Sequence, residues 1–191
     1  MSRRLNSIRR LRPQRRRFFI GCEGESERGF VAFLQRIADE EGLLVHLDGV
    51  LLQPGGGDPC GIIQMAIELS DRRASRHGAY QARFVLLDSD KLGQTPQRDN
   101  QAMQAAIDSS LSLIWQDPCH EAMLLRHLDG CENLRPPTTP VALQQLCQRW
   151  PEYRKPMTSV RLAARISLTG VRQFAEAEAG YCALVNAIGF R

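Results

Sequence analysis

The sequence predicts an α/β fold with a mostly parallel sheet flanked by helices, followed by a helical extension at the C-terminus. Short apolar segments that suit buried strands alternate along the chain with longer segments whose apolar residues recur at helical spacing. Such alternation is typical of doubly wound sheets with right-handed crossovers. A chain of 191 residues, 43% of them hydrophobic, is long enough for one domain with a real core.

The first strand is predicted at residues 17–22, where Arg-Phe-Phe-Ile-Gly-Cys is mostly apolar. A helix is expected to begin at Glu25 or Ser26 and to end at Gly42. Four apolar residues recur at helical spacing within it: Phe30, Phe33, Leu34 and Ile37. Apolar and polar residues then alternate well enough to predict a second strand at residues 43–53.

A glycine run at residues 55–57 follows the second strand. It is either a flexible loop or a cradle whose backbone amides hold a phosphate, and it lacks the Lys-Ser/Thr pair of a P-loop. Asp58 is expected to cap the next helix, with Pro59 at its first position. The short apolar segment at residues 83–87 predicts a central third strand.

The second half of the chain predicts one more strand and four helices. The strand covers residues 111–115. The helices are residues 99–109, a helix capped by Asp117 and Pro118, residues 141–150 and residues 158–187. Gly170 and Gly180 predict that the last of these helices is broken.

Charge is distributed unevenly along the chain. Residues 1–17 carry eight arginines and no acidic residue, so the remainder has 17 basic and 21 acidic residues and a net charge of −4. An arginine-rich arm suits phosphate backbones, because each contact releases condensed counterions. We therefore expect residues 1–16 to form a basic, disordered arm and Arg15, Arg16 and Arg17 to contact nucleic acid. A passive solvated tail is the alternative.

The composition argues against a membrane protein. The longest apolar runs are short, such as residues 84–87, whereas a membrane span needs roughly 20 apolar residues. Six cysteines stand at irregular spacings without a CxxC pair. Such cysteines are expected to be reduced thiols, which predicts a cytoplasmic protein.

Acidic residues follow two of the predicted strands. Glu23 comes directly after the first strand, and Asp88 and Asp90 end the third. In parallel sheets the carboxyl ends of the strands form the active crevice, so these acids should meet at one edge. Carboxylate oxygens are the ligands of Mg²⁺, and Mn²⁺ is the expected substitute. The three residues are therefore predicted to bind the metal, with Glu23 as a further ligand or as a general acid or base.

Three neighbours of these acids are predicted to face the substrate. Gly24 would allow backbone to approach a phosphate closely. Glu27 is placed in the same group, although an acid in the first turn of a helix is also favoured by the helix dipole alone. Lys91 follows the two aspartates directly and could contact a phosphate or remain solvated.

Three segments carry a resemblance to a known family. They read Cys-Glu-Gly-x-x-Glu at residues 22–27, Asp-x-Asp at residues 88–90, and a longer motif that starts at Asp117. In that order they resemble three motifs of the RloB-like family. The matching residues of the third motif are Pro118, Cys119, Glu121, Leu124, Leu125 and His127. The sequence departs from that motif at Asp117, His120 and Met123.

The resemblance covers about residues 17–165, and Tyr153 and Lys155 are similar to a later Tyr-x-Lys segment of the family. It implies a Toprim-like, Rossmann-like core at residues 17–130 with a helical extension at residues 131–191 packed on it. It implies a role in restriction or phage defence and a suspected nuclease activity. By analogy with Toprim proteins, Glu23 would act as acid or base, and Asp88 and Asp90 would bind Mg²⁺.

Glu121 belongs to the third motif, which favours a catalytic role over that of an ordinary first-turn acid. His120 and His127 share a helix face and, with Cys119 and Cys131, could suggest zinc, but the spacing matches no standard zinc pattern.

The predicted function is therefore Mg²⁺-dependent cleavage of phosphodiester bonds in RNA or DNA. The alternatives are a non-catalytic metal- or nucleotide-binding module of a defence complex, and phosphoryl or nucleotidyl transfer on a small nucleotide. The sequence leaves open whether the chain binds a partner defence protein or forms a homo-oligomer.

Overall fold

The computed structural model describes residues 14–52 and 58–190. Four strands are present in this part of the chain: β1 (Arg16–Cys22), β2 (Val45–Leu51), β3 (Ala82–Asp88) and β4 (Leu111–Gln116). They form one parallel sheet in the order β2-β1-β3-β4. The predicted α/β fold with a parallel sheet flanked by helices is confirmed.

Eight helices complete the described chain. They are α1 (Glu25–Glu40), α2 (Pro59–His77), α3 (Pro96–Asp108), α4 (His120–Arg126), α5 (Thr139–Arg149), α6 (Ser159–Ala163), α7 (Leu168–Ala177) and α8 (Ala179–Ile188). Among the residues described, no helix is both long and apolar enough to cross a membrane. All six cysteines are free thiols.

The two faces of the sheet are buried in separate cores. Successive residues of a strand point to opposite faces, so Phe18 and Ile20 of β1 pack in one core and Phe19 in the other. The first core takes its other side chains from α1 and from the C-terminal helices, including Tyr181 and Leu184. The second is closed by α2 and α3. The C-terminal helices therefore pack directly on the sheet.

The start of α2 follows the predicted chemistry. Asp58 is the N-cap, its carboxylate accepts a hydrogen bond from the backbone N–H of Cys60, and Pro59 opens the helix. The glycine run at residues 55–57 and most of the predicted basic arm, residues 1–13, lie outside the described residues. β1 begins at Arg16, one residue before the predicted start, and so takes in the last residue assigned to the arm.

Two predicted helices differ from the observed ones. Asp117 and Pro118 do not cap α4, which begins at His120 with Cys119 as its N-cap. The carboxylate of Asp117 instead accepts a hydrogen bond from the hydroxyl of Ser89 at 2.9 Å. This bond holds the loop after β4 against the loop after β3.

The long C-terminal helix is three helices, and the two glycines lie just inside helices rather than at the breaks. Gly170 is in the first turn of α7, where a Cβ would come within 2.6 Å of the carbonyl oxygen of His127. Gly180 is in the first turn of α8, where a Cβ would come within 3.1 Å of the carbonyl oxygen of Leu113. Both glycines permit close packing of a helix start on its neighbour.

Candidate functional site

Five acidic residues gather at the carboxyl edge of the sheet. Glu23 follows β1, Asp88 ends β3 and Asp90 lies just beyond it. Glu27 comes from the first turn of α1, and Glu121 from the first turn of α4. The topology brings all five together because parallel strands end at the same edge and each is followed by a helix that starts there.

Asp88 is at the electrostatic centre of this cluster. Its Oδ1 accepts a hydrogen bond of 2.9 Å from the backbone N–H of His120. Burial is the largest cause that raises the pKa of Asp88 to about 8, and the charges of Glu27, Glu23, Glu121 and Asp90 contribute to the same rise in that order. An acid in this environment is unstable as an anion unless positive charge is supplied.

Glu23 is partly buried and lies beside Lys91, the residue that follows Asp90. Burial raises the pKa of Glu23, against the opposing charge of Lys91. The Lys91 ammonium is 3.9 Å from Glu23 Oε1, and both side chains remain partly accessible to solvent. A carboxyl group with a raised pKa and solvent access is suited to accept and release a proton.

Glu27 is buried and faces both Gly24 and His120. A Cβ at Gly24 would lie 3.0 Å from Glu27 Oε2. Glu27 Oε1 is 4.0 Å from the Nδ1 of His120. The absence of a side chain at Gly24 thus makes room for the Glu27 carboxylate within the protein.

Glu121 is neutralised by two side chains from the segment after α5. Its Oε1 accepts a hydrogen bond of 2.9 Å from the hydroxyl of Tyr153 and is also in contact with the ammonium of Lys155. Burial acts to raise the pKa of Glu121, but the hydrogen bond and charge of Lys155 and the hydrogen bond of Tyr153 outweigh it, so the pKa is lowered. Glu121 is therefore held as an anion with its own counter-ion.

Asp90 lies at the exposed rim of the cluster. Its Oδ2 accepts a hydrogen bond of 3.1 Å from the hydroxyl of Thr139, at the start of α5. Its backbone N–H donates to the carbonyl oxygen of Pro118. These contacts fix the loop after β3 while leaving the carboxylate open to solvent.

His120, the first residue of α4, and His127, which follows its last residue, are buried and neutral. Gln116 Nε2 donates to the Nδ1 of His120 at 2.8 Å, and burial lowers the pKa of His120. The Nδ1 of His127 donates to the carbonyl oxygen of Met123, and its Nε2 accepts from the hydroxyl of Tyr181. Burial lowers the pKa of His127 to about 3. The His127 ring is thus satisfied as part of the core, whereas the buried Nε2 of His120 has no hydrogen-bond partner within the described residues.

Arg15, Arg16 and Arg17 lie at the other end of β1 and are not brought together with the acids. Arg15 contacts Asp39. Arg16 donates to the last carbonyl groups of α8, and Arg17 donates to the carbonyl oxygens of His77 and Gly78. Their contact with nucleic acid stays a prediction, and it would use a surface on the opposite edge of the sheet.

The roles of Tyr153, Lys155 and Thr139 were missed by reasoning from sequence. The match of Tyr153 and Lys155 to a short Tyr-x-Lys segment was the one available signal, and it carried no indication of contact with Glu121. Thr139 follows a proline-rich loop and shows no pattern that would link it to Asp90 across 49 positions.

The donor chemistry of the cluster suits a divalent cation that prefers oxygen. Within residues 14–52 and 58–190, however, no three His, Cys, Asp or Glu side chains are arranged so that they could hold a metal ion, zinc included. A cation would have to draw the carboxylates closer together. Comparison with protein-family models, characterised proteins and solved structures finds no match for this chain. The similarity of its motifs to the RloB-like family stays a prediction.

Proposed function

We propose that the chain is a Mg²⁺-dependent nuclease of Toprim type that cleaves phosphodiester bonds at the carboxyl edge of the sheet. One observation carries the proposal: Asp88 is partly buried among four other acids, and its pKa is raised to about 8. Clusters of acids that strongly perturb one another are more frequent at functional sites than in structural ion pairs.

The residues that would hold the cation are Asp88, Asp90 and Glu23. Their mutual repulsion is relieved on the described chain only in part, by Lys91. A bound Mg²⁺ or Mn²⁺ would supply positive charge to a phosphoryl oxygen and lower the pKa of a coordinated water. Asp90 is the most exposed of the three, so a cation bound to it would be accessible to an incoming phosphate.

Glu23 is proposed as the general acid or base. Its raised pKa brings the proton affinity of its carboxylate closer to neutral pH, where proton transfer is most effective. Lys91, 3.9 Å away, would hold Glu23 ready as an anion and could exchange that contact for a substrate phosphate. Glu121 is proposed to shape the site through its ion pair rather than to exchange protons, because its pKa is lowered.

The substrate is proposed to be RNA or DNA, and the setting a bacterial defence system, on the strength of the motif resemblance. The arginines of residues 1–17 would add affinity for the phosphate backbone that falls as salt concentration rises. Partners and cellular location remain part of this proposal.

The test is a cleavage assay with total tRNA, single-stranded DNA and plasmid, in Mg²⁺, Mn²⁺ or EDTA. Asp88→Asn removes the carboxyl group that would bind the cation and keeps the shape of the side chain. Asp108→Asn is the matched control, because Asp108 ends α3 and its carboxylate contacts only Gln104 among the hydrogen bonds of the described chain. Metal-dependent cleavage that is lost in Asp88→Asn and kept in Asp108→Asn supports the proposal.

A second candidate is a non-catalytic module that binds metal or nucleotide. It is favoured by the state of Glu121, whose charge is already paired with Lys155 and which accepts a hydrogen bond from Tyr153. Titration with Mn²⁺, followed by its electron paramagnetic resonance signal, distinguishes the two. Binding that requires Asp88, without cleavage of any of the three nucleic acids, would favour the module over the nuclease.

A further inference from the structure

One arginine of α4 is buried without enough acceptors. The side chain of Arg126 is fully buried, and its Nη1 donates to the carbonyl oxygen of Asp117 at 2.8 Å. Within the described part of the chain, its Nε and Nη2 have no hydrogen-bond partner. Leaving buried N–H groups of a charged side chain unsatisfied is costly, so these donors call for a partner such as a water, an ion or a ligand.

A carboxylate is near these donors but does not bond to them. Glu178 Oε1 is 3.6 Å from Arg126 Nε, which exceeds hydrogen-bond distance, and 3.4 Å from Arg135 Nη2. Glu178 therefore lies between two guanidinium groups, in the position that a shared anion would take. One carboxylate does not satisfy the donors of both arginines.

A cavity of about 250 Å³ opens beside this carboxylate. Its wall includes Glu178, Ala179, Gly180 and Tyr181, the residues that begin α8. No side chain caps α8, so its first backbone N–H groups are free of intrahelical partners at the cavity wall. Helix starts of this kind favour anions.

The cavity and the buried arginine are contiguous. Phe174 lines the cavity, and the Cζ of Arg126 is 5.2 Å from the centre of the Phe174 ring. Glu178 lines the cavity as well and is within 3.6 Å of Arg126. Neither Arg126 nor Arg135 itself lines the cavity, so the Glu178 side chain would have to shift before the free Nε and Nη2 of Arg126 could reach a molecule there.

We propose that Arg126, Arg135 and the start of α8 form a binding site for a phosphate group, and that Glu178 occupies it when no phosphate is bound. A phosphate oxygen can accept from the Nε–H and Nη2–H of one guanidinium together, which a distant carboxylate does not achieve. The two arginines bring two positive charges, which are opposed by Glu178 at the site and less strongly by the charge of Asp117.

This site is separate from the acidic cluster. Arg126 is the last residue of α4, whereas Glu121 is in its first turn, and the cavity lies on the side of α7 and α8. The proposal therefore does not depend on the proposed nuclease activity. Binding can be measured without any cleavage, so failure of one proposal leaves the other intact.

The test is equilibrium dialysis of the full chain against inorganic phosphate at constant ionic strength. Glu178→Gln removes the competing charge and should tighten phosphate binding by at least roughly fivefold, the effect of one like charge at close range even with the screening of bulk water. Glu176→Gln, which makes the same change at an exposed position near the end of α7, should bind as the unsubstituted protein does.

Arg135→Gln gives an independent check, because Arg135 is 44% exposed and its loss should not prevent folding. It should weaken phosphate binding roughly tenfold, since one charged donor is lost. The matched control is Arg36→Gln, at a side chain 48% exposed on α1. If Glu178→Gln fails to fold, this pair alone decides the proposal.

Adenosine 5′-monophosphate and adenosine identify the source of the phosphate. Binding of the monophosphate but not of adenosine, tighter than inorganic phosphate, would assign a nucleotide, and equal binding of both phosphates would assign the free ion. The proposal is overturned if Glu178→Gln binds phosphate no better than Glu176→Gln, if Arg135→Gln binds as well as Arg36→Gln, or if adenosine binds as well as its monophosphate.

Discussion

The carboxylate of Asp88 accepts a hydrogen bond from the backbone N–H of His120, with 2.9 Å between Oδ1 and N. Asp88 ends β3 and His120 begins α4, so this bond joins the centre of the sheet to the helix that carries Glu121. Despite the bond, burial and the neighbouring acids raise the pKa of Asp88 to about 8. The same carboxyl group therefore both holds the start of α4 against β3 and has the raised pKa of the site.

The raised pKa of Asp88 predicts that the free energy of unfolding falls as pH rises from about 4 to about 8. In this interval the folded protein keeps a proton that the unfolded chain has released, so rising pH favours unfolding. Asp88→Asn should remove that dependence, while Asp108→Asn should keep it. The size of the effect is of the order of a few kcal/mol.

Urea unfolding between about pH 6.5 and about pH 8 checks this prediction, because the buried histidines, whose effect has the opposite sign, titrate below that range. Added Mg²⁺ should restore stability at the upper end of the range, since the cation favours the ionised acid. An identical slope in the unsubstituted protein and in Asp88→Asn would show that Asp88 ionises normally in the folded state.

The sheet and the placement of Glu23, Asp88 and Asp90 on one edge could be predicted because they follow from periodicity and from the geometry of parallel strands. The residue at which α4 begins could not be predicted from the sequence. Pattern alone favoured Asp117 as a cap, but its side chain is bound to Ser89, which is 28 positions away in sequence. Contacts between distant segments override local preference.

The same limit applies to the candidate site. Tyr153 and Lys155 contact Glu121 only because the segment after α5 packs across α4. The chemistry of arginine side chains in the sequence suggested contact with phosphates for Arg15, Arg16 and Arg17, yet their positions at the start of β1 give them carbonyl and carboxylate partners within the protein. The arginines lie at the amino end of β1, whereas the acidic cluster lies at the carboxyl end of the sheet, and the amino-acid type alone does not reveal this.

The pKa of His127, lowered to about 3, predicts that part of the stability is lost as pH falls. The neutral ring is favoured in the folded state, so its contribution is complete above about pH 6.5 and declines as pH falls toward 3. Nitrogen NMR should show the proton on Nδ1, which donates to Met123, and no titration of the ring above pH 5, about two units above its folded pKa.

Tyr181→Phe removes the donor to His127 Nε2 and should cost about 1–2 kcal/mol of unfolding free energy, because a buried acceptor is left unpaired. Tyr80→Phe is a useful comparison, since Tyr80 lies in a partly buried network around Asp48 whose carboxylate keeps its arginine partners. A His127 ring that titrates near pH 6 would contradict the buried, neutral state.

The ion pair of Glu121 and Lys155 predicts a pKa change that carbon NMR can measure. In the unsubstituted protein the pKa of Glu121 is lowered, so its contribution to stability is present above its ordinary pKa, about 4.3, and is lost as pH falls below it. Lys155→Met should raise the pKa of Glu121, since the two largest influences that oppose burial, the hydrogen bond and the charge of Lys155, are then lost.

Tyr153→Phe should also raise the pKa of Glu121 and cost roughly 1–3 kcal/mol, as expected for a buried hydrogen bond to a charged group. Arg154→Met is the matched control for Lys155→Met, because the Arg154 side chain contacts only nearby carbonyl groups among its hydrogen bonds in the described chain. A Glu121 pKa that stays the same in both Lys155→Met and Tyr153→Phe would remove the proposed positioning role of these residues.

Gly29→Ala tests the packing that holds the Tyr153 and Lys155 segment over the site. A Cβ at Gly29 would lie 1.9 Å from the carbonyl oxygen of Met157, so α1 and this segment would have to separate. We expect a loss of about 3 kcal/mol in the free energy of unfolding. Gly61→Ala in α2 is the control, since a Cβ there meets nothing within 4 Å.

The control should gain about 0.4–1 kcal/mol, because alanine restricts the unfolded chain and suits a helix. Urea unfolding of both variants measures the difference, and the NMR pKa of Glu121 in Gly29→Ala reports whether Lys155 has moved away from it. Equal stabilities for the two variants would mean that α1 and the Met157 backbone are not in close contact. A lost stability with an unchanged Glu121 pKa would mean that the segment shifts without releasing the ion pair.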